Sequence, residues 1–250
     1  MTALLALVFS GAFGSSALAA QIHPYTGTSF GPDGTTATSF ANLQGIAVDQ
    51  ATGDVYALDA GEGGKVYKFD AIGIPVDFSG LAGNVIEEVG GAGNGENEIA
   101  VAPAGSPGGT AGDIYVANNS VVKIFSPNGA VLGKLDGGET CGVAVSPAGH
   151  VFVGVYPSEI REYVPTANPV TNADESPVKS RDVLSGICNV AADGLGNVYG
   201  AGYSSGPTFG LEGLADSSAT TLDPTANTLA VDPTSNEVYA DRRSEFAQYS

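Results

Sequence analysis

Gly45-Ile-Ala-Val-Asp-Gln-Ala-Thr-Gly-Asp-Val-Tyr-Ala-Leu-Asp59 decides how the rest of the chain is read. An apolar run of strand length meets a polar turn ending in Gly53-Asp54, and a second β-rich run follows, which is the pattern of an antiparallel hairpin. The first run recurs four times: Ile46-Ala-Val-Asp49 returns as Ile99-Ala-Val-Ala102, Val143-Ala-Val-Ser146, Val190-Ala-Ala-Asp193 and Leu229-Ala-Val-Asp232. Its partner Val55-Tyr56 returns as Ile114-Tyr115, Val151-Phe152, Val198-Tyr199 and Val238-Tyr239. The copies are 53, 44, 47 and 39 residues apart. Each unit therefore has room for four short strands, the size of a propeller blade.

A second aromatic follows ten to thirteen residues after the first and marks strand three: Phe69, Phe125, Tyr163, Phe209 and Tyr249. Strand four is the least regular and is expected at Val76–Phe78, Ala130–Leu135, Asp182–Leu184 and Ala219–Leu222. Small apolar residues suit inner strands crowded around an axis, and aromatics fill the widening wedge between blades.

Composition agrees with this reading. Gly and Pro together make up one residue in five, which suits short strands joined by tight turns better than helices. At 43% hydrophobic and 14% charged, a chain of 250 residues can bury a sizeable core. The expected class is all-β. A net charge of −18 repels phosphate backbones and anionic headgroups, which argues against nucleic-acid and membrane-surface partners. The Asp and Glu residues are scattered among turns, the distribution expected of a solubilising surface.

Residues 1–20 read as a secretory signal peptide, with an apolar stretch from Ala3 to Phe9 and a small-x-small site at Ala17-Leu18-Ala19. No basic residue precedes the apolar stretch; Lys65 is the first in the chain. The run is too short and too interrupted for a membrane span. The expected product is an exported, extracellular or cell-surface domain over residues 21–250, monomeric, with a protein or glycan partner.

Phe40-Ala-Asn-Leu-Gln-Gly-Ile-Ala-Val-Asp49, Gly53-Asp-Val-Tyr-Ala-Leu-Asp59 and Lys65-Val-Tyr-Lys-Phe69 together resemble an NHL repeat, with Leu43 where Pro is customary. The resemblance runs from residue 28 to 250 with decaying fidelity, and blade two inserts Ala104–Gly112 into its turn. It implies a TolB-like six-bladed β-propeller, of which five blades are visible here. Thr28–Phe30 is read as an orphan strand. It could supply the missing fourth strand of blade five and close a five-bladed ring, or complete a sixth blade beyond Ser250. The second arrangement is preferred, because ending inside a strand leaves an exposed edge; on this reading the chain is a fragment of a six-bladed ring.

Chemistry must be sought where the copies differ. Cys141 and Cys188 occupy the same point of the repeat, two residues before Val143 and Val190. Equivalent positions in adjacent blades lie side by side, so a disulfide is geometrically reasonable and export favours it; two buried free thiols are the alternative. Before each inner-strand run stand Gly45, Glu98, Gly142, Asn189 and Thr228, and Glu98 and Asn189 break the pattern as channel-mouth binding candidates. Similarity to propellers of the gluconolactonase and senescence-marker type implies a divalent cation, such as Ca2+, held by Glu, Asn and Asp at about this depth. No third ligand is visible for that reading, and no cofactor is otherwise indicated. The two histidines, His23 and His150, are too few for a three-ligand zinc site, so the zinc lyase activity of some NHL-type propellers is not expected. His150 stands where other copies have Asp54, Asp113, Asn197 and Glu237, and is read as a turn residue. Asp49, Asp193, Asp232, Asp59, Asn118 and Asp241 close strands and are read as satisfying turn N–H groups. Gly90-Gly-Ala-Gly-Asn-Gly95 has no helix after it to form a phosphate cradle and reads as a linker. No Ser/His/Asp or Cys/His catalytic set can be assembled.

Two functions of different class follow. The first is an exported, non-enzymatic β-propeller serving as an interaction scaffold. The second is a divalent-cation-dependent, lactonase-like hydrolase at the channel mouth.

Overall fold

A computed structural model describes residues 29–250, except 62, 88, 91–96, 136, 184–185, 203–210, 215–218, 227 and 243–244. Each copy of the hairpin signature folds as read. In the first, β1 (Leu43–Val48) pairs antiparallel with β2 (Val55–Asp59), Val48 opposite Val55 and Ile46 opposite Ala57. The turn between such strands needs a residue with positive φ just before strand two. Gly supplies it at 53, 112, 149 and 196, and Asn236 supplies it in the last copy with φ 62°. Gly and Asn are the residues that adopt this region at least cost, which is why Gly-x-Val/Ile-aromatic is so regular in the sequence.

The strands form four four-stranded antiparallel sheets arranged as propeller blades. The first is β1, β2, β3 (Lys65–Phe69) and β4 (Val85–Glu87). The second holds β5 (Glu98–Val101), β6 (Ile114–Ala117), β7 (Val122–Phe125) and β8 (Val131–Leu135). The third holds β9 (Thr140–Val145), β10 (Val151–Val155), β11 (Glu159–Tyr163) and β12 (Lys179–Asp182). The fourth holds β13 (Ile187–Ala192), β14 (Val198–Gly202), β15 (Leu211–Leu214) and β16 (Ala219–Asp223). A three-stranded sheet follows, made of β17 (Thr228–Val231), β18 (Val238–Asp241) and β19 (Phe246–Tyr249). Among the described residues there is no helix.

The first strands β1, β5, β9, β13 and β17 lie beside one another in that order around the axis. Packing between sheets follows the period-two alternation of a strand. In β6, Ile114 and Val116 face the first sheet and join Tyr56, Phe78 and Ile86, while Tyr115 between them faces the third sheet and joins Val143, Val153 and Tyr163. Phe152, Ile160, Ile187 and Val198 fill the third-to-fourth interface, and Leu229, Val238 and Ala240 the next. Each buried Val, Leu, Ile or Phe side chain among these stabilises the fold by about 1.5–3 kcal/mol.

Three expectations are corrected. The fourth strand of the first sheet is Val85–Glu87, not Val76–Phe78. Phe78 is apolar because it is a fully buried plug in the first-to-second interface, its ring 6.1 Å from that of Tyr56. The fourth strand of the third sheet is Lys179–Asp182 rather than Asp182–Leu184; its run Lys-Ser-Arg-Asp is polar throughout, so hydrophobic patterning passed over it. Ser29 and Phe30 are not in a strand, and Phe30 packs on Phe69 of the first sheet, 4.9 Å between ring centres, so they close no later sheet. Thr28, the signal-peptide reading of residues 1–20, His23, Phe209 and most of the Gly90–Gly95 stretch lie outside the described residues.

Candidate functional site

The residues that distinguish one repeat from another converge on the axis. Two residues ahead of each inner-strand run, the chain carries Gln44, Asn97, Cys141 and Cys188. In β1, β9 and β13 that position is a β-bulge, where one extra residue interrupts the register with strand two. A bulge re-aims its side chain out of the sheet's regular alternation. The consequence is a tie to the adjacent sheet: Asn97 Nδ2 donates to Gln44 Oε1, joining the first and second sheets. Cys141 and Cys188 are disulfide-bonded, joining the third and fourth, with Cα atoms 4.7 Å apart.

The next position supplies the remaining ties. Glu98 reaches across from the second sheet, and its Oε2 accepts the Val143 backbone N–H of the third at 2.8 Å. Its Oε1 accepts Asn189 Nδ2 of the fourth sheet at 2.7 Å. Asn189 Oδ1 in turn accepts the Leu229 N–H of the last sheet at 2.7 Å. Glycine at the intervening position is required by the close approach. A Cβ on Gly142 would come within 2.9 Å of Val190 Cγ2 and 3.2 Å of Glu98 Oε2. The two channel-mouth candidates are therefore brought together and are bonded to each other. Both oxygens of the Glu98 carboxyl group are thus occupied by donors from neighbouring sheets, one a main-chain N–H and one a side-chain amide. Among the described residues, no three His, Cys, Asp or Glu side chains group as metal ligands do.

The Ala104–Gly112 insertion also meets the long loop after Pro165 that joins β11 to β12. Asp113, just after the Ala104–Gly112 insertion, is buried. It accepts from Asn168 Nδ2 at 2.9 and 3.2 Å, and the same amide nitrogen lies 2.9 Å from the Gly109 carbonyl. Asn168 belongs to the stretch after Pro165, whose shape Asp174 fixes by accepting the Thr166 and Thr171 N–H groups at 2.9 and 2.7 Å. Burial pushes the Asp113 carboxyl up to about 7, against the lowering effect of Asn168. The sequence reading treated Asp113 as one more turn residue; the insertion beside it was the available signal.

Other strand-closing residues hold local turns. Asp49, Asp193 and Asp232 each accept the N–H two residues on, at 2.8, 2.9 and 2.8 Å. Asp59 binds the N–H groups of Ala41, Asn42 and Gly61. Asn118 does both, accepting from Val121 and donating at 2.7 Å to the carbonyl of Val89, just beyond β4 of the first sheet. At the outer end of the fourth sheet, Asp223 accepts from Arg242 Nε, Thr225 and Tyr249. Burial opposes its ionisation, but those partners outweigh burial and hold the carboxyl well below the usual range. His150 keeps its turn position, its N–H meeting Ser146 Oγ at 3.3 Å, and its ring Nδ1 lies 2.6 Å from Glu162 Oε1.

No protein-family model matches the sequence, and no curated protein matches it either. Among solved structures the chain is similar to a chain of Kuenenia stuttgartiensis hydrazine synthase, with a TM-score of 0.55 and 14% identity. The match covers 81% of this chain and 62% of that one, so this chain spans less than two thirds of the length it resembles. At that identity the likeness bears on fold alone, and with the sheet arrangement it supports a β-propeller.

Proposed function

We propose that the chain is an exported, non-enzymatic β-propeller of the NHL type that works as an interaction module for a protein or glycan partner, as a monomer. The observation that carries this reading is the use made of the axial polar groups. Glu98, Asn189, Gln44 and Asn97 bind neighbouring sheets, so the residues best placed for channel chemistry serve the scaffold. The variation that remains lies in the paired insertions around Asp113 and Asn168, which suits a recognition face. A ring of six blades fits the repeat pattern. It also fits the open face of β1, where Ile46 is 63% exposed while its counterpart Ile99 is 4% exposed.

The convergence of Glu98 and Asn189 favours one second reading, a divalent-cation-dependent, lactonase-like hydrolase at the axis. Thermal unfolding with increasing Ca2+ or Zn2+ separates the two. The interaction reading predicts no saturable rise in Tm for the wild type and a lower Tm for Glu98→Ala at every cation concentration. A stoichiometric rise abolished by Glu98→Ala establishes the hydrolase reading instead.

A further inference from the structure

A cavity of about 310 Å³ opens between the third and fourth sheets, away from the axial ties. Its floor is apolar, made by Phe152, Ile160 and Val198, which belong to the core between these two sheets. Its wall is charged, and strand register explains why. Phe152 of β10 stands opposite Glu162 of β11, which stands opposite Lys179 of β12; one step along, Ile160 stands opposite Arg181. One face of this sheet therefore sets an aromatic ring, an aliphatic chain, a carboxylate and two cations side by side. The carboxylate is already engaged, Glu162 Oε1 lying 2.6 Å from His150 Nδ1 and Oε2 3.8 Å from Lys179 Nζ. The lining therefore holds Lys179, Arg181 and the His150 imidazole together with one acid, Glu162, which lies beside both His150 and Lys179. Leu195, 77% exposed on the facing turn of the fourth sheet, supplies an apolar lip.

Two of the chain's nine Lys and Arg residues thus line one cavity, in a chain whose net charge is −18. We propose that the cavity is a binding site for a carboxylate carried on an apolar body: the body lies on Phe152, Ile160 and Leu195, and the carboxylate meets Lys179 and Arg181 at the rim. Apolar walls with a few convergent polar groups are the usual make-up of a small-ligand site, and this volume is at the small end of that class. Guanidinium groups favour carboxylates because their paired donors match the two oxygens. The chain's net charge of −18 disfavours extended polyanions and so favours a compact, singly charged ligand. Such a carboxylate comes either from a free organic acid or from the C-terminus of a peptide ending in an apolar residue.

The site is tested by titrating the 15N-labelled full chain with phenylacetate, with phenylacetamide, and with acetyl-Ala-Phe as free acid and as amide. Backbone shifts at His150, Phe152 and Lys179 report binding. The expected result is saturable binding of the acids, with affinity lower by about tenfold or more for each amide and for Arg181→Gln and Lys179→Gln. The tighter of the two acids names the source of the carboxylate. Both variants change rim side chains and are checked for wild-type Tm, so a loss of binding is not a loss of fold. Equal affinity for acid and amide, indifference to both variants, or no saturable shift with either acid overturns the proposal.

Discussion

Asp113 shows how a single residue's surroundings become a property of the whole fold. Its carboxyl is buried beside the amide of Asn168, and its folded-state value is pushed up to about 7 from an ordinary 3.8. The folded protein therefore keeps this proton over a range in which the unfolded chain has released it. Stability from this group is fully present below pH 3.8 and is lost as pH rises towards 7. Asp223 and Asp174 act with the opposite sign: both are held below the usual range, so their contribution is lost only as pH falls beneath it. The two windows do not overlap. Thermal unfolding is expected to show Tm declining between about pH 4 and 7, at about 2–4 °C for each kcal/mol. Asp113→Asn, which keeps an acceptor for Asn168, is expected to flatten that decline and leave the loss below pH 4 unchanged. An unaltered slope in the variant contradicts the assignment.

At the scale of the strand, one position has two environments. Ile46 and Ile99 occupy the same place in β1 and β5, but Ile99 is covered by the first sheet and Ile46 is not. Ile99→Ala is expected to cost about 2–5 kcal/mol through lost burial and the cavity left behind, whereas Ile46→Ala stays within about 0.5 kcal/mol. Urea unfolding of the two variants measures both; equal losses contradict the packing described. The comparison also shows what the sequence made legible. Inner hairpins were readable because in every copy a turn Gly, or Asn236 in the last, stands two residues before a Val or Ile that an aromatic follows. The outer strands were not, since Lys179–Asp182 carries no apolar face and Phe78 is apolar without being in a strand. Glu98 and Asn189 could be singled out as breaks in a repeat, but their mutual contact joins residues 91 apart and depends on how the sheets stack. The equivalence of the Gln44–Asn97 tie and the Cys141–Cys188 tie was likewise hidden, because one is an amide pair and the other a disulfide.

At the scale of the molecule, the sheets are held at the axis by a series of ties running from the first sheet to the last. The disulfide is the covalent member, closing a loop of 47 residues. Reduction, or Cys141→Ser with Cys188→Ser, is expected to lower stability by about 2–4 kcal/mol. Mass spectrometry with and without reductant checks the bond directly, and an unchanged free-thiol count contradicts it. The central proposal is that Glu98 and Asn189 serve to join sheets rather than to hold a cation, and their hydrogen bonds between sheets support it. The measurement that tests it most directly is a double-mutant cycle on unfolding free energy, with Glu98→Ala, Asn189→Ala and the double variant, run in EDTA and again in millimolar Ca2+. The account predicts a coupling energy of about 0.5–3 kcal/mol that is the same in both conditions. A coupling that appears only with Ca2+ would contradict it.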